Sequence, residues 1–563
     1  MTKVRQALFN PLSRRAKAAL LVTAASAAVF GAAALAQEQD TGPQAQLRFR
    51  NDYFGYGLSV GPRVTYTDNI NLSSDAAKED EVAGSIAANG SAIYSTNRIT
   101  AILDGSLDVS YLVDQSRLVA SQDVGAVGTL TIAENLFYID AAGSSSRQLA
   151  GENARFSRNI NAGRAQRVNV HNIALSPYLN RRFNDGSAAE IRYRVSQVII
   201  DDDRTALGAN FNNDSRTQEA IASYQTGERF DRVEIGLTAY GNKTREYGSA
   251  AIQDFEFRQG TLEADLQYAL TERFALTGAV GYDEVDTDAP PQFIPADRLS
   301  GLFWRAGFRA RPGRRTDVRL EYGQRYDDDF INADLRYELS NRLNFSASAS
   351  RSFRTRAQAV STNYEALQRR TLDFVDRLRQ GEVGDAEGII DALTRSNRQR
   401  FSAQNIGFGV ANEANARLSA LLGTRSTASL YGFYNDTDFG FRRITAYGGG
   451  LGVQHQMSRR LSAFGDLFYR YVDSTSDLTS CLADPRLFGF DVTTPGFDPM
   501  VACDSLVGVE GVTNTVGGRL GASYRLARNV SAFGEYSHTE RFSKNPLLEY
   551  GENTVTLGLQ VDF

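Results

Sequence analysis

Few side chains in this 563-residue chain have the types and spacing that covalent chemistry needs. The three histidines, His171, His455 and His538, stand far apart, and none belongs to a His-Glu-x-x-His pair or adjoins a Gly-x-Ser-x-Gly turn. A general base needs a neighbour that orients it and tunes its basicity, and the sequence offers none. The acidic runs Asp201 to Asp203, Asp283 to Asp288 and Asp327 to Asp329 lack the spaced oxygen ligands and glycine of a calcium loop, and read as solvated charge. Gly448 to Gly450 and Gly452 have no Lys-Ser/Thr after them to make a phosphate loop; they read as a bend in a strand. No catalytic residue, metal site or cofactor is expected, so the chain reads as a non-enzyme.

Cys481 and Cys503 show no Cys-x-x-Cys spacing and have no histidine nearby to complete a zinc site. In an oxidising compartment they are expected to pair, closing 21 intervening residues. Loop entropy makes such a bridge worth about 3 kcal/mol.

The amino terminus points to that compartment. Lys3, Arg5, Arg14, Arg15 and Lys17 precede the small, apolar run Ala18 to Ala33, and Ala34-Leu35-Ala36 supplies a signal-peptidase site. Residues 1–36 are expected to be a signal peptide. A membrane anchor is the competing reading, but the run is alanine-rich and ends on small residues rather than a basic stop-transfer cluster. Removing those five cations leaves 56 basic against 66 acidic residues, which argues against a nucleic-acid partner. No later run approaches the roughly 18 apolar residues of a spanning helix, so membrane residence would require strands.

The positions that must be held in place are charges within alternating strands. Arg192, Arg194, Glu263, Asp265, Arg305, Arg309, Arg319, Glu321, Asp334, Arg336, Asp466, Arg470 and Arg519 alternate with apolar residues, as Glu263 and Asp265 do with Leu262, Ala264 and Leu266. One face suits lipid and the other water. A soluble sandwich also alternates, but strands of about 10 to 14 residues suit a tilted span of a bilayer better. The charged set is therefore expected to line a hydrated lumen. Phe303, Phe464 and Phe468 share that face, as sugar-stacking surfaces or as packing for an inserted loop.

Polar turns rich in Asn and Arg recur roughly every 45 residues. They are Thr96 to Ile99, Glu134 to Leu136, Asn184 to Ser187, Glu228 to Phe230, Glu272 to Phe274, Pro312 to Arg315, Ser340 to Leu343, Gly423 to Ser426, Ser458 to Leu461 and Ala527 to Val530. With an opening and a closing strand they predict an all-β fold: one antiparallel transmembrane barrel of about 22 strands, range 16 to 22. The expected organisation is a periplasmic segment 37–54 and a barrel 55–563. Long connections are expected at 67–81, 150–167, 201–214, 244–255, 286–298, 355–399, 473–510 and 542–551. Within 355–399, Leu367, Phe374, Val375 and Leu378 share a helical face, and the insert reads as a gate folded into the barrel or a hairpin capping its rim. The last strand places Leu557, Leu559, Val561 and Phe563 on one face, the pattern of an outer-membrane insertion signal read by the barrel-assembly machinery. Outer-membrane lipid and lipopolysaccharide would be its surroundings.

The segment Leu58 to Leu72, with Tyr66-Thr67-Asp68-Asn69-Ile70-Asn71 at its heart, resembles the start of a family of β-barrel porins associated with exopolysaccharide gene clusters (β-barrel porin 2-like). The Arg-Leu hairpins and the helical insert are similar too, so the resemblance covers nearly all of the mature chain. It implies an outer-membrane channel, a conduit for secreted exopolysaccharide working with a periplasmic polysaccharide-export protein. A general or small-solute porin and a structural or receptor barrel are the alternatives.

Overall fold

The computed structural model describes residues 48–51, 53–149, 154–164, 167–201, 214–227, 232–247, 254–289, 294–313, 315–340, 342–355, 408–440, 442–476 and 511–563, with a few positions between 482 and 503. The expected leader and the helical insert lie outside these residues.

The described chain is almost entirely strand. A short β1 (Arg48–Asn51) is followed by β2 (Phe54–Thr67), β3 (Glu81–Ser95), β4 (Ile99–Leu112), β5 (Arg117–Ala133), β6 (Phe137–Leu149), β7 (Arg167–Arg182) and β8 (Ala188–Asp201). Then come β9 (Asp214–Gln225), β10 (Val233–Tyr247), β11 (Phe255–Thr271), β12 (Phe274–Thr287), β13 (Gly301–Gly313), β14 (Thr316–Arg325), β15 (Asp328–Ser340) and β16 (Leu343–Thr355). The last are β17 (Phe408–Leu422), β18 (Ser426–Asp438), β19 (Arg442–Gln456), β20 (Leu461–Ser476), β21 (Gly511–Ala527), β22 (Val530–Ser543) and β23 (Tyr550–Asp562). Each pairs antiparallel with its sequence neighbours, and β2 pairs with β23 from Ser59↔Asp562 to Thr67↔Thr554. The result is a closed barrel of 22 strands, β2 to β23, with no free edge in its wall. Strand β1, unexpected from the sequence, pairs with Phe54 to Tyr56 and so covers the stretch of β2 that β23 does not reach.

The ten polar turns account for one end of the barrel. Where they read Ser/Thr-x-Arg-apolar, the hydroxyl caps the turn: Thr96 Oγ1 accepts the N–H groups of Arg98 (3.4 Å) and Ile99 (3.0 Å). Thr271 does the same for Arg273 and Phe274, and Ser458 for Arg460 and Leu461. The core of the turn at Glu228 to Phe230 lies outside the described residues. At the other end, tight connections at 113–116, 326–327 and 439–441 join the expected long ones. Tyr326 and Asp327, with φ of 59° and 58°, turn β14 into β15 in the left-handed geometry that two-residue hairpins need.

Two prolines sit inside the wall. Pro62 faces Ile86 and Pro177 faces Ile139 in unbroken ladders, while β2–β23 skips Gly61 and Pro62 and β7–β8 skips Ser176 and Pro177. Pairing lapses on the side where each proline lacks its donor.

The two faces differ sharply. Leu302 (79 % exposed), Leu520, Leu262, Leu467, Ile191 and Leu557 project outward, while Arg192, Arg194, Glu219, Asp283 and Glu321 are buried on the opposite face. An apolar exterior this continuous must be covered, and acyl chains cover it. Among the described residues no helix is long and apolar enough to cross a membrane.

Candidate pore constriction

The inward face is a set of paired charges. Arg192 Nη1 and Nε meet Asp140 at 2.7 Å and Glu190 at 2.8 Å, with the guanidinium 3.8 Å above the Tyr178 ring. Arg194 meets Glu219 at 3.1 Å. Arg305 joins Glu263 (2.5 Å), Asp265 and Glu321 (3.2 Å), and Arg319 joins Glu321 at 2.8 Å. Arg309 holds Asp317 at 2.7 Å, Arg336 lies 3.3 Å from Asp334, and Asp466 receives Arg519. Arg470 is half-buried on the same face of β20. The sequence placed these charges in one lining; it did not foresee Asp140, Glu219 and Asp317 as partners, because cross-strand register is invisible to alternation.

The inward aromatic rings follow a second rule. Phe303, Phe464 and Phe468 each oppose a glycine directly across the ladder: Gly281, Gly521 and Gly517. A Cβ on those glycines would lie 2.2 to 2.3 Å from a ring carbon, so only bare backbone accepts the ring flat against the wall. Tyr431 over Gly450 and Phe433 over Gly448 repeat the arrangement, which gives the glycine row a use as a bed for rings. The other faces carry guanidinium groups: Arg325 over Phe303 at 4.2 Å, Arg519 over Phe464 at 5.4 Å and Arg158 over Phe468 at 5.1 Å. These rings are covered on both sides rather than bare for sugar stacking.

Arg158 comes from the connection between β6 and β7, whose described part, residues 154–164, folds into the lumen. Phe156 packs edge-on against Phe468 with centroids 5.8 Å apart, and Arg158 pairs with Asp466, ten residues from the long-loop end of β20. Ser157 donates to Glu552 of β23, Asn161 Nδ2 donates to Ser110 Oγ of β4 at 3.1 Å, and Arg541 of β22 donates to the Ala154 carbonyl at 3.1 Å. All these wall partners lie on the inward face. From β20 through the β23–β2 closure to β4 the segment spans seven strands, so it runs as a chord inside the barrel.

Packing holds it there. Leu72 and Ile70 from the β2–β3 connection close over Ala162 and Tyr550, all nearly fully buried. Gly163 adopts φ 59° and donates to the Ile70 carbonyl at 2.8 Å, and a Cβ there would lie 2.5 Å from Leu72 Cδ1. Burial lowers the pKa of Arg155 in this segment below that of a free guanidinium; Arg155 Nη1 donates to the Leu72 carbonyl at 2.8 Å. A separate apolar cluster of Phe255, Phe257, Val285, Ile294, Leu299, Tyr326, Phe353 and Val410 draws the long-loop ends of β11 and β16 together, although they stand five strands apart.

The constriction expected from Leu367, Phe374, Val375 and Leu378 lies outside the described residues, and the inward element found is a different one. The signals that could have marked it are Phe156, the one aromatic in the 150–167 connection, and the conformationally demanding Gly163. Cys503 is buried and disulfide-bonded, and Cys481 lies outside the described residues. The three histidines stay apart: His455 Nδ1 lies 2.7 Å from Ser426 Oγ at an exposed turn, and His538 Nδ1 lies 3.0 Å from Asn553 Oδ1. Of the acidic runs, Asp283 is held by Arg325 and Asp328 by Arg351.

No family model and no curated protein matches the chain. Among solved structures it is similar to a ferric enterobactin receptor of Pseudomonas aeruginosa, with 10 % identity over 92 % of this chain and 82 % of that one and a TM-score of 0.45. A siderophore receptor of Acinetobacter baumannii gives 8 % identity, 90 % and 80 % coverage and a TM-score of 0.45. The copper transporter OprC gives 12 %, 93 %, 81 % and 0.38.

Proposed function

We propose that this chain is a channel of the bacterial outer membrane that passes a hydrophilic polymer, a secreted exopolysaccharide, with residues 154–164 narrowing its lumen. The observation that carries the reading is the pairing of charge on the inward face: Arg305 among Glu263, Asp265 and Glu321, and Asp466 between Arg158 and Arg519. Such a lining is wet and its charges of both signs largely offset one another, so it can solvate a sugar chain without trapping it. The leader at 1–36, cleaved before Gln37, and the resemblance at Leu58 to Leu72 support the same reading. The short turns then face the periplasm, where a polysaccharide-export protein would deliver the cargo.

A small-solute porin is the second reading, favoured by the same segment, since a fixed constriction admits small solutes and stops a polymer. Planar-bilayer conductance of the mature protein, with and without residues 154–164, separates the two. Steady current through the intact protein supports the porin, and current that rises only after shortening supports the gated conduit. Silence in both forms supports a structural or receptor barrel and ends the channel reading. Loss of surface polysaccharide in a deletion strain tests the cargo.

A further inference from the structure

The short-turn mouth carries a repeated residue that the turn itself does not require. In seven of the turns the residue just before the new strand is an exposed arginine: Arg98, Arg232, Arg273, Arg315, Arg342, Arg425 and Arg460. Each carbonyl accepts the N–H of the residue across the next ladder, as Arg98 does from Thr131, Arg273 from Arg311 and Arg342 from Leu421. The strand geometry therefore already holds at the arginine. Because the following residue begins the outward set, with Ile99 and Phe274 exposed, alternation sets each arginine on the lumen side.

A capped turn needs the Ser or Thr hydroxyl and a backbone carbonyl, and any side chain could supply the latter. Arginine at seven separate turns is thus a property of the mouth. Unlike the guanidinium groups deeper in the lumen, six of the seven, all but Arg315, form no ion pair among the described residues. Acidic side chains at that level are Glu338 opposite Arg315, Asp562 opposite Asn529, Glu234 at the start of β10, and Glu134, Asp185 and Glu272 in the turns themselves, fewer than the arginines among the described residues. A ring rich in cations around a watery opening with low-dielectric walls concentrates anions, and guanidinium groups bind carboxylates in forked pairs.

The geometry points to a carboxylate-bearing polysaccharide as the cargo, captured at the short-turn mouth by this arginine ring; the inference rests on the channel reading and names the chemistry of its cargo. Detergent-solubilised mature protein would be titrated with fluorescent oligogalacturonate and, separately, with a maltooligosaccharide of equal length, at low and high salt. The acidic oligomer should bind about tenfold more tightly, with the preference lost at high salt. Combined Arg273→Gln, Arg342→Gln and Arg425→Gln should abolish that preference and the corresponding lysine triple should keep most of it, with heat-modifiable mobility showing that both remain folded. Equal affinity for the two oligomers, binding of neither, or an unchanged glutamine triple would overturn the inference. Because this readout needs no current and no polysaccharide phenotype, it stands apart from the tests of the channel itself.

Discussion

Phe468 of β20 lies flat over Gly517, its direct partner in β21, where a Cβ would come within 2.3 Å of the ring. The contact fixes the ring against the wall, and Phe156 and Arg158 of the inward segment then rest on it. Gly517→Val should lift the ring and disturb both. Overpacking of this kind costs about 1–3 kcal/mol. Urea unfolding of the refolded barrel should show a lower midpoint, with Phe468→Ala in the same chain restoring part of the loss. An unchanged midpoint would show that the wall yields without cost.

The outward face makes a different demand. Leu520, 68 % exposed, faces away from the lumen, and its neighbour but two on β21, Ser523, is on the inward set. Leu520→Arg should cost about 2–4 kcal/mol if it sits near mid-depth in a bilayer, and Ser523→Arg much less. Unfolding in lipid vesicles would measure both. Equal penalties would refute the assignment of lipid and water to the two faces.

Much of this architecture is legible in the sequence because it depends on local pattern. Alternation fixes which residues face outward, and the Ser/Thr-x-Arg-apolar turns mark strand starts such as Ile99, Phe274 and Leu461 to the residue. Tyr326 and Asp327 escape because nothing in their identity announces a two-residue turn; the flanking strands impose the left-handed backbone. The constriction escapes for another reason. Its stability comes from partners hundreds of positions away, such as Asp466 for Arg158 and Glu552 for Ser157, and closure of the barrel alone brings these together. Amphipathic periodicity drew attention to residues 355–399, but residues 154–164 are buried through hydrogen bonds, the Phe156 ring and the packing of Ala162 and Gly163 under Leu72, which leave no periodic trace.

The loop that contains Cys503 should depend on its disulfide. Cross-linking removes conformational freedom from the open loop, and closing 21 residues is worth about 3 kcal/mol. Cys503→Ser should therefore speed tryptic cleavage at Arg486, between the two cysteines, while leaving heat-modifiable mobility of the barrel intact. A mass spectrum of the digest reads the site. If wild-type and variant are cut there at equal rates, the bridge does not restrain that loop.

Removing the charge that anchors the inward segment gives the sharpest test of its role. Asp466 is held from the wall side by Arg519 and from the loop side by Arg158, and Arg158 has no other ion pair among the described residues. Arg158→Ala should therefore free the middle of the segment while Asp466 keeps a partner. Arg519→Ala changes the wall and leaves the loop's own ion pair in place. In planar bilayers the first should raise mean conductance or produce frequent transitions to a larger level, and the second should keep the wild-type level. Ser157→Ala, which removes the donor to Glu552, should act in the same direction as Arg158→Ala, and the two together should exceed either alone, since each strips a separate anchor from one segment. Identical conductance in the wild type and all four variants would mean that residues 154–164 do not set the width of the path.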